Sequence, residues 1–216
     1  MNLGFILDMD GTIVDNMHYH ELAWQAVLAE RGIHCTLHEV QLKAYGNNRE
    51  AYRRFFNRDA SDEELENFGL HKEARYRQYF APHFAPIKGL VPFMEKSRAM
   101  GIPIAIATGS IRKNCDWIVD KLGVRALLSA IVTADEVEHG KPNPDTFLKA
   151  AQHIGIAPEN CIVFEDVPSG GMAAFNGGMR SVILTTTYPA FVAATFASVI
   201  KVIENYTQVT PEEFLG

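Results

Sequence analysis

Cysteine is scarce in this chain: Cys35, Cys115 and Cys161 are its three, an odd number with no CxxC spacing. They supply neither a disulfide framework nor a zinc site, so idle thiols are expected. Long apolar runs are lacking as well. No stretch reaches the roughly 20 apolar residues needed to cross a bilayer. Asp8 and Asp10 break the N-terminal apolar run too early for a signal-peptide core, so the expected location is the cytoplasm, with no membrane partner. Positive charge is not in excess: Lys and Arg number 20 against 26 Asp and Glu, a formal net charge of -6. Phosphate-backbone binding needs a basic surface, so nucleic acid is not an expected partner. Internal repeats and low-complexity segments are absent too.

What the 216 residues do contain is a 47% hydrophobic composition, enough to bury a core in one domain with an insertion. Leu3-Gly4-Phe5-Ile6-Leu7 is a short apolar run that stops at Asp8, as a buried parallel strand would. The pattern repeats. Ile104 to Ala107 runs into Thr108-Gly109-Ser110, Ala130 to Val132 into Thr133, Ile162 to Phe164 into Glu165-Asp166, and Val182 to Leu184 into Thr185. Helical patterns lie between these runs: Val91 to Met100 ending at Gly101, Asn114 to Leu122 ending at Gly123, and one opening at Asn143-Pro144-Asp145. There Asn143 suits a cap and Pro144 the first helical position. This alternation predicts an α/β fold, a doubly wound parallel sheet, with ligands bound outside the carboxyl ends of its strands.

From about Asn16 to Phe84 the alternation stops and only helical patterns remain, among them Glu21 to Arg31 closed by Gly32 and a Ser61-x-x-Glu64 capping box. We read this stretch as an α-helical cap inserted after the first strand. The expected division is a catalytic core of residues 1–15 and 87–216 and a cap of residues 16–86. Its hinges would lie near Asp15-Asn16 and between Pro82 and Pro86. Thr210-Pro211-Glu212-Glu213 reads as a structural helix start.

The chemistry gathers at the strand ends. Asp8-Met9-Asp10-Gly11-Thr12 sets two carboxylates two residues apart, and Gly11 offers a sharp turn that could bring the second over the same site. Glu165-Asp166 ends another strand. Carboxylates converging from two strand ends need compensation, and magnesium is held by one or two carboxylates with waters and substrate phosphate. Thr108-Gly109-Ser110 offers hydroxyls and backbone amides for phosphate oxygens. Gly140-Lys141-Pro142-Asn143-Pro144 places a lysine in a proline-bracketed turn, where it can act as a point charge on a phosphoryl group. Each of these segments alone is also an ordinary loop.

In order along the chain, Asp8 to Thr12, Thr108, Gly140 to Asp145 and Glu165-Asp166 resemble the haloacid dehalogenase superfamily. The similarity is to its β-phosphoglucomutase-like branch, which has a Rossmann-like core and a small helical cap. The resemblance covers essentially the whole chain. It implies that Asp8 attacks phosphorus to form an aspartyl phosphate and that Asp10 protonates the leaving oxygen, then deprotonates the incoming water or hydroxyl. Thr108 would bind phosphoryl oxygens, with Gly109 and Ser110 beside it, and Lys141 would offset charge on Asp8 and the transferring group. Asp8, the backbone carbonyl of Asp10, and Asp166 would ligate Mg2+, with Glu165 in or next to that shell. In the cap, His20, Arg49 and Lys72 stand where related sugar-phosphate mutases contact substrate.

The chain departs from the mutases at Asn16, where they have threonine, and at Ile111-Arg112, where they have a Lys-Asn pair. The expected function is therefore a magnesium-dependent phosphatase of small phosphorylated metabolites, sugar phosphates foremost. A β-phosphoglucomutase-type mutase is the alternative, and a catalytically silent binding protein on the same scaffold a remote one. The hydrolytic dehalogenase is disfavoured by Asp10, which serves a phosphate ester's leaving group. A small cap is compatible with a monomer.

Overall fold

A computed structural model describes residues 2–44, 48–189 and 197–215. The chain forms two compact units, Met1–Asp15 with Ala85–Gly216, and Asn16–Phe84.

The first unit holds a six-stranded parallel sheet. β1 (Gly4–Leu7), β2 (Ile104–Ala107), β3 (Ala130–Val132), β4 (Cys161–Glu165), β5 (Arg180–Leu184) and β6 (Val199–Ile203) stand in the order β3-β2-β1-β4-β5-β6. The chain builds outward from β1 through β2 to β3, then crosses back to β4 on the other side of β1. The switch point of the sheet thus lies between β1 and β4, the place where open α/β sheets bind ligands. There Phe5 pairs with Ile162 and Leu7 with Phe164, and the Asp8 amide donates to the Phe164 carbonyl at 2.9 Å.

Every residue of β1, β2 and β4 is buried, as strands covered on both faces must be. Alternation along the strands sorts the side chains into two cores. Ile6, Ala105, Val163 and Cys161 pack with Phe147, Ala150 and Ala151 of α7 (Asp145–Ile154) and Ala173 and Ala174 of α8 (Pro168–Asn176). On the other face Phe5 and Phe164 meet Phe93 of α5 (Leu90–Ala99), Tyr206 and Phe214, with ring centroids between 5.2 and 6.1 Å apart. Between β2 and β3 runs α6 (Arg112–Leu122), closed by Gly123 in the left-handed region. Pro144 stands one residue before α7 instead of inside it, and the Asn143 side chain accepts from the Asp145 amide at 3.0 Å.

The second unit is wholly helical in its described residues: α1 (Met17–Ala29), α2 (Leu37–Lys43), α3 (Asn48–Phe56) and α4 (Asp62–Phe80). Trp24, Val27, Leu28, Val40, Ala51, Tyr52 and Phe68 form its own core. Ser61 caps α4 through the Glu64 amide, while the Glu64 carboxylate pairs with Arg58 and Tyr52. Thr210 to Phe214, expected as a helix start, is a capped 3-10 turn. β6 was not expected at all: Val199-Ile200-Lys201-Val202-Ile203 lies at the sheet edge, half exposed.

No described helix is long and apolar enough to cross a membrane. All three cysteines are free, and burial pushes the thiols of Cys115 and Cys161 up to about 12 and about 11, so they are unreactive at neutral pH. The Tyr206 hydroxyl is fully buried and has no hydrogen-bond partner among the described residues. A buried polar group without a partner carries a desolvation penalty of about 1–3 kcal/mol. Tyr206→Phe should therefore raise the urea midpoint at unchanged slope; a lower midpoint in equilibrium unfolding would contradict the assignment.

Candidate active site

Four strand ends converge on one edge of the sheet. Asp8 follows β1, Thr108 follows β2, Glu165 and Asp166 end β4, and Thr185, Thr186 and Thr187 follow β5. Met9 is buried, and the chain then turns so sharply that the amides of Thr12 and Ile13 reach back to the Met9 carbonyl at 3.2 and 2.9 Å. Gly11 makes this turn possible. Its φ is +76°, and an added Cβ would stand 2.0 Å from Asp166 Oδ2, so both conformation and space demand glycine.

Lys141 is the centre of the charge arrangement. Its ammonium lies 2.5 Å from Asp8 Oδ1 and 2.6 Å from Glu165 Oε1, above the ring of Phe147 at 4.7 Å. The Lys141 side chain is 10% exposed, Asp8 6%, and Glu165 fully buried. Burial alone would lower the Lys141 pKa, but the two carboxylates more than offset it and hold it above the ordinary lysine range. Glu165 is fixed at its other oxygen by the amides of Asp166 and Val167, at 2.7 and 2.9 Å. A Cβ on Gly170, in the first turn of α8, would collide with the Glu165 carboxylate at 1.8 Å.

Asp166 is equally dry. Its Oδ1 accepts from Thr12 Oγ1 at 3.2 Å and its Oδ2 from Thr187 Oγ1. Burial, then the charges of Glu165 and Asp8, push its pKa well above the carboxylate range. For Asp8 burial is again the first cause, opposed by Lys141, and its pKa rises from 3.8 to about 7.

Asp8, Glu165 and Asp166 with Lys141 therefore amount to three buried carboxylates and one buried ammonium. That surplus of negative charge is the chemistry a divalent cation satisfies, and its hard oxygen donors suit magnesium. Among the described residues no group of three or more His, Cys, Asp or Glu side chains is arranged as a metal cage. Magnesium does not require one, since waters and phosphate complete its coordination.

The remaining candidates divide into two sets. Ser110 Oγ donates to Asp10 Oδ2 at 2.5 Å, so the serine expected on phosphate oxygens holds the second carboxylate here. Thr108 Oγ1 accepts from the Ser110 amide at 3.0 Å, and Gly109 is exposed, with nothing within 4 Å of an added Cβ. His20, Arg49 and Lys72 all belong to the helical unit. His20 stacks on Tyr76 with centroids 3.7 Å apart, and Tyr76 accepts from Asn16 Nδ2 at 2.5 Å. Lys72 and Glu73 form a buried ion pair beside Trp24, whereas Arg49 is exposed and tied to Asp62 and the Ala60 carbonyl. Arg112 turns to Glu136 at 2.8 Å and to the Ile131 carbonyl.

Sequence reasoning passed over Thr186 and Thr187. Their signal was the run Thr185-Thr186-Thr187 at the end of an apolar strand, the position that makes Thr108 a candidate.

A parallel α/β sheet carrying an acid pair, a hydroxyl, a buried lysine and a second acid pair at its strand ends defines a phosphohydrolase or phosphotransferase of the haloacid dehalogenase type. The chain belongs to the haloacid dehalogenase-like hydrolase family, which it matches over residues 3–178. It is 34% identical over 182 residues to the fructose-1-phosphate phosphatase YqaB of Escherichia coli, covering 83% of this chain and 94% of that protein. Its fold is similar to that of a family IA, variant 3 hydrolase of the superfamily from Entamoeba histolytica, with TM-score 0.89, 24% identity and coverage of 98% and 97%. The β-phosphoglucomutase of Clostridium difficile is similar too, with TM-score 0.84, 24% identity and coverage of 99% and 95%.

The raised pKa of Asp8 has a stability consequence. Folded Asp8 keeps its proton over a range where the unfolded chain has lost it, so its contribution is fully present below about 3.8 and is lost as pH rises through about 7. Asp8→Asn abolishes this titration. Without divalent cations, its stability relative to the unsubstituted protein should rise steadily from pH 4 to pH 7 in denaturant titrations; a pH-independent difference would refute the shift.

Proposed function

We propose that this protein is a magnesium-dependent phosphatase of small phosphorylated metabolites, sugar phosphates foremost, acting through a phosphorylated Asp8. The observation that carries the reading is the buried Lys141 ammonium bridging Asp8 and Glu165 at the switch point of the sheet. It neutralises a carboxylate nucleophile that otherwise could not approach an anionic phosphate. The phosphatase relative supports the substrate class.

In the first step an Asp8 carboxylate oxygen forms a bond to phosphorus as the ester P–O bond breaks. Protonated Asp10 gives its proton to the departing oxygen. In the second step water attacks the phosphorus of the aspartyl phosphate while Asp10, now ionised, takes up the water proton. The bond to Asp8 breaks and inorganic phosphate leaves. Ser110 keeps the Asp10 carboxylate oriented throughout. The Thr108 hydroxyl and the open backbone of Gly109 receive phosphoryl oxygens, while Lys141 offsets the charge that builds on them. Asp8, Asp166 and the Asp10 carbonyl would hold magnesium, which supplies charge neutralisation for the phosphoryl group. Glu165 serves chiefly to fix Lys141. His20, Lys72 and Arg49 of the helical unit are the proposed substrate-reading residues.

The test is a screen of sugar phosphates, polyol phosphates and nucleotides for released phosphate, with magnesium and after chelation. Turnover should require the cation, Asp8→Asn should abolish it, and Lys141→Ala should lower it by roughly 10²–10³. Full activity after exhaustive chelation, or steady-state turnover by Asp8→Asn, would overturn the reading.

The similarity of fold to a β-phosphoglucomutase favours one second reading. Both reactions pass through the same phosphorylated Asp8 and differ in whether Asp10 deprotonates water or a sugar hydroxyl. Asp10 is anchored by Ser110 within its own unit, and the Asn16 amide is engaged by Tyr76. An Asp10 kept at the strand ends is ready for water, which supports hydrolysis. Given β-glucose 1-phosphate with a trace of glucose 1,6-bisphosphate, the protein should release phosphate faster than it forms glucose 6-phosphate; the reverse ratio selects the mutase.

A further inference from the structure

We infer that Thr186 and Thr187 at the end of β5 are positioning residues for the cation site, fixing the carboxylate of Asp166 and the turn at Gly11 from one strand end. The inference rests on the proposed use of Asp166 as a magnesium ligand.

The geometry is specific to two consecutive hydroxyls. Thr187 Oγ1 donates to Asp166 Oδ2, and Thr186 Oγ1 donates to the Gly11 carbonyl at 2.5 Å. Thr12 holds the other Asp166 oxygen at 3.2 Å. With a hydroxyl donor on each oxygen the Asp166 carboxylate cannot rotate, yet each oxygen keeps lone-pair capacity for a cation, since a carboxylate offers about four acceptor sites. The Gly11 contact acts on the other proposed ligand. The Asp10 carbonyl belongs to the peptide that leads into Gly11, so holding the Gly11 carbonyl limits how far that peptide can tilt. The crowding at Gly11 shows how little slack remains: an added Cβ would meet Asp166 Oδ2 at 2.0 Å and Thr187 Oγ1 at 2.9 Å. β5 pairs with β4 in parallel, Glu165 opposite Ile183, so the Thr186-Thr187 segment is carried beside Asp166 by the sheet itself.

Groups that hydrogen-bond to metal-ligating carboxylates typically contribute 10–100-fold to metal affinity. Calorimetric titration of the full, substrate-free chain with magnesium chloride tests the inference without recourse to turnover. Thr187→Val, which keeps the shape and removes the hydroxyl, should weaken magnesium binding roughly 10-fold. Thr187→Ser should restore it to within about twofold, and the melting temperature without magnesium should not follow this order. Asp166→Asn separates the two levels of the argument. If it binds magnesium as tightly as the unsubstituted chain, or the unsubstituted chain binds none, the cation-site reading falls and the inference with it. If it loses binding while Thr187→Val does not, the inference alone is overturned. Thr187→Ser binding as weakly as Thr187→Val would also overturn it, since a hydroxyl would then be insufficient. Should Thr187→Val fail to fold, Thr187→Ala takes its place with the same expected and overturning results.

Discussion

The ammonium of Lys141, wedged between Asp8 and Glu165, is the interaction on which the rest of the strand-end site depends. Three carboxylates at adjoining strand ends, each less than a tenth exposed, repel one another in a medium that screens poorly. Burying them together is tolerable only if cations share the space. Lys141 supplies one positive charge, and its two short contacts set where Asp8 and Glu165 can lie. The surrounding devices protect that arrangement. Phe147 walls the lysine, the amides of Asp166 and Val167 fix the far oxygen of Glu165, and Gly170 leaves the room that this carboxylate fills. A partner removed from such a buried pair leaves an uncompensated charge, which is costlier than never having built the pair.

The sheet explains why the pair can be assembled at all. β1 and β4 are neighbours through the crossover at the switch point, so residues distant in sequence arrive at one edge with a register fixed by hydrogen bonds. Beside them β2 delivers Thr108 and β5 delivers Thr186 and Thr187. The site is a row of strand ends, and its precision is that of the sheet.

Much of this was legible in the sequence because buried parallel strands announce themselves as apolar runs with abrupt polar ends. Five of the six described strands were read in this way, and so were Asp8, Asp10, Thr108, Lys141, Glu165 and Asp166 at or near their ends, whereas Thr186 and Thr187 were not. β6 escaped because it lies at an edge: Lys201 interrupts Val199 to Ile203, and half exposure removes the all-apolar signature. The role of Glu165 as an anchor for Lys141 was also hidden. Sequence pairs it with Asp166, but strand alternation sends adjacent carboxylates in different directions, and only the fold shows which oxygen meets which donor. Ser110 was read for phosphate and is found on Asp10 for the same reason, since a hydroxyl at a strand end can serve either. The helical unit was recognisable as helical, but its polar residues carried no positional pattern. The buried pairing of Lys72 with Glu73 depends on neighbours from other helices, which periodicity along one helix cannot name.

The spacing of the charged partners also has a consequence for biosynthesis. Asp8 lies 133 residues before Lys141 and 158 before Asp166, and the helical unit with its own core is encoded between Asp8 and both of them. A ribosome moving at about 5–20 residues per second completes Asp8 many seconds before Lys141 exists. During that interval β1 can pair with β2 but has neither β4 on its other side nor the lysine beside Asp8. The cluster of Asp8, Lys141, Glu165 and Asp166 comes together only when β4 docks, so the order of the chain itself sets when these charges first meet.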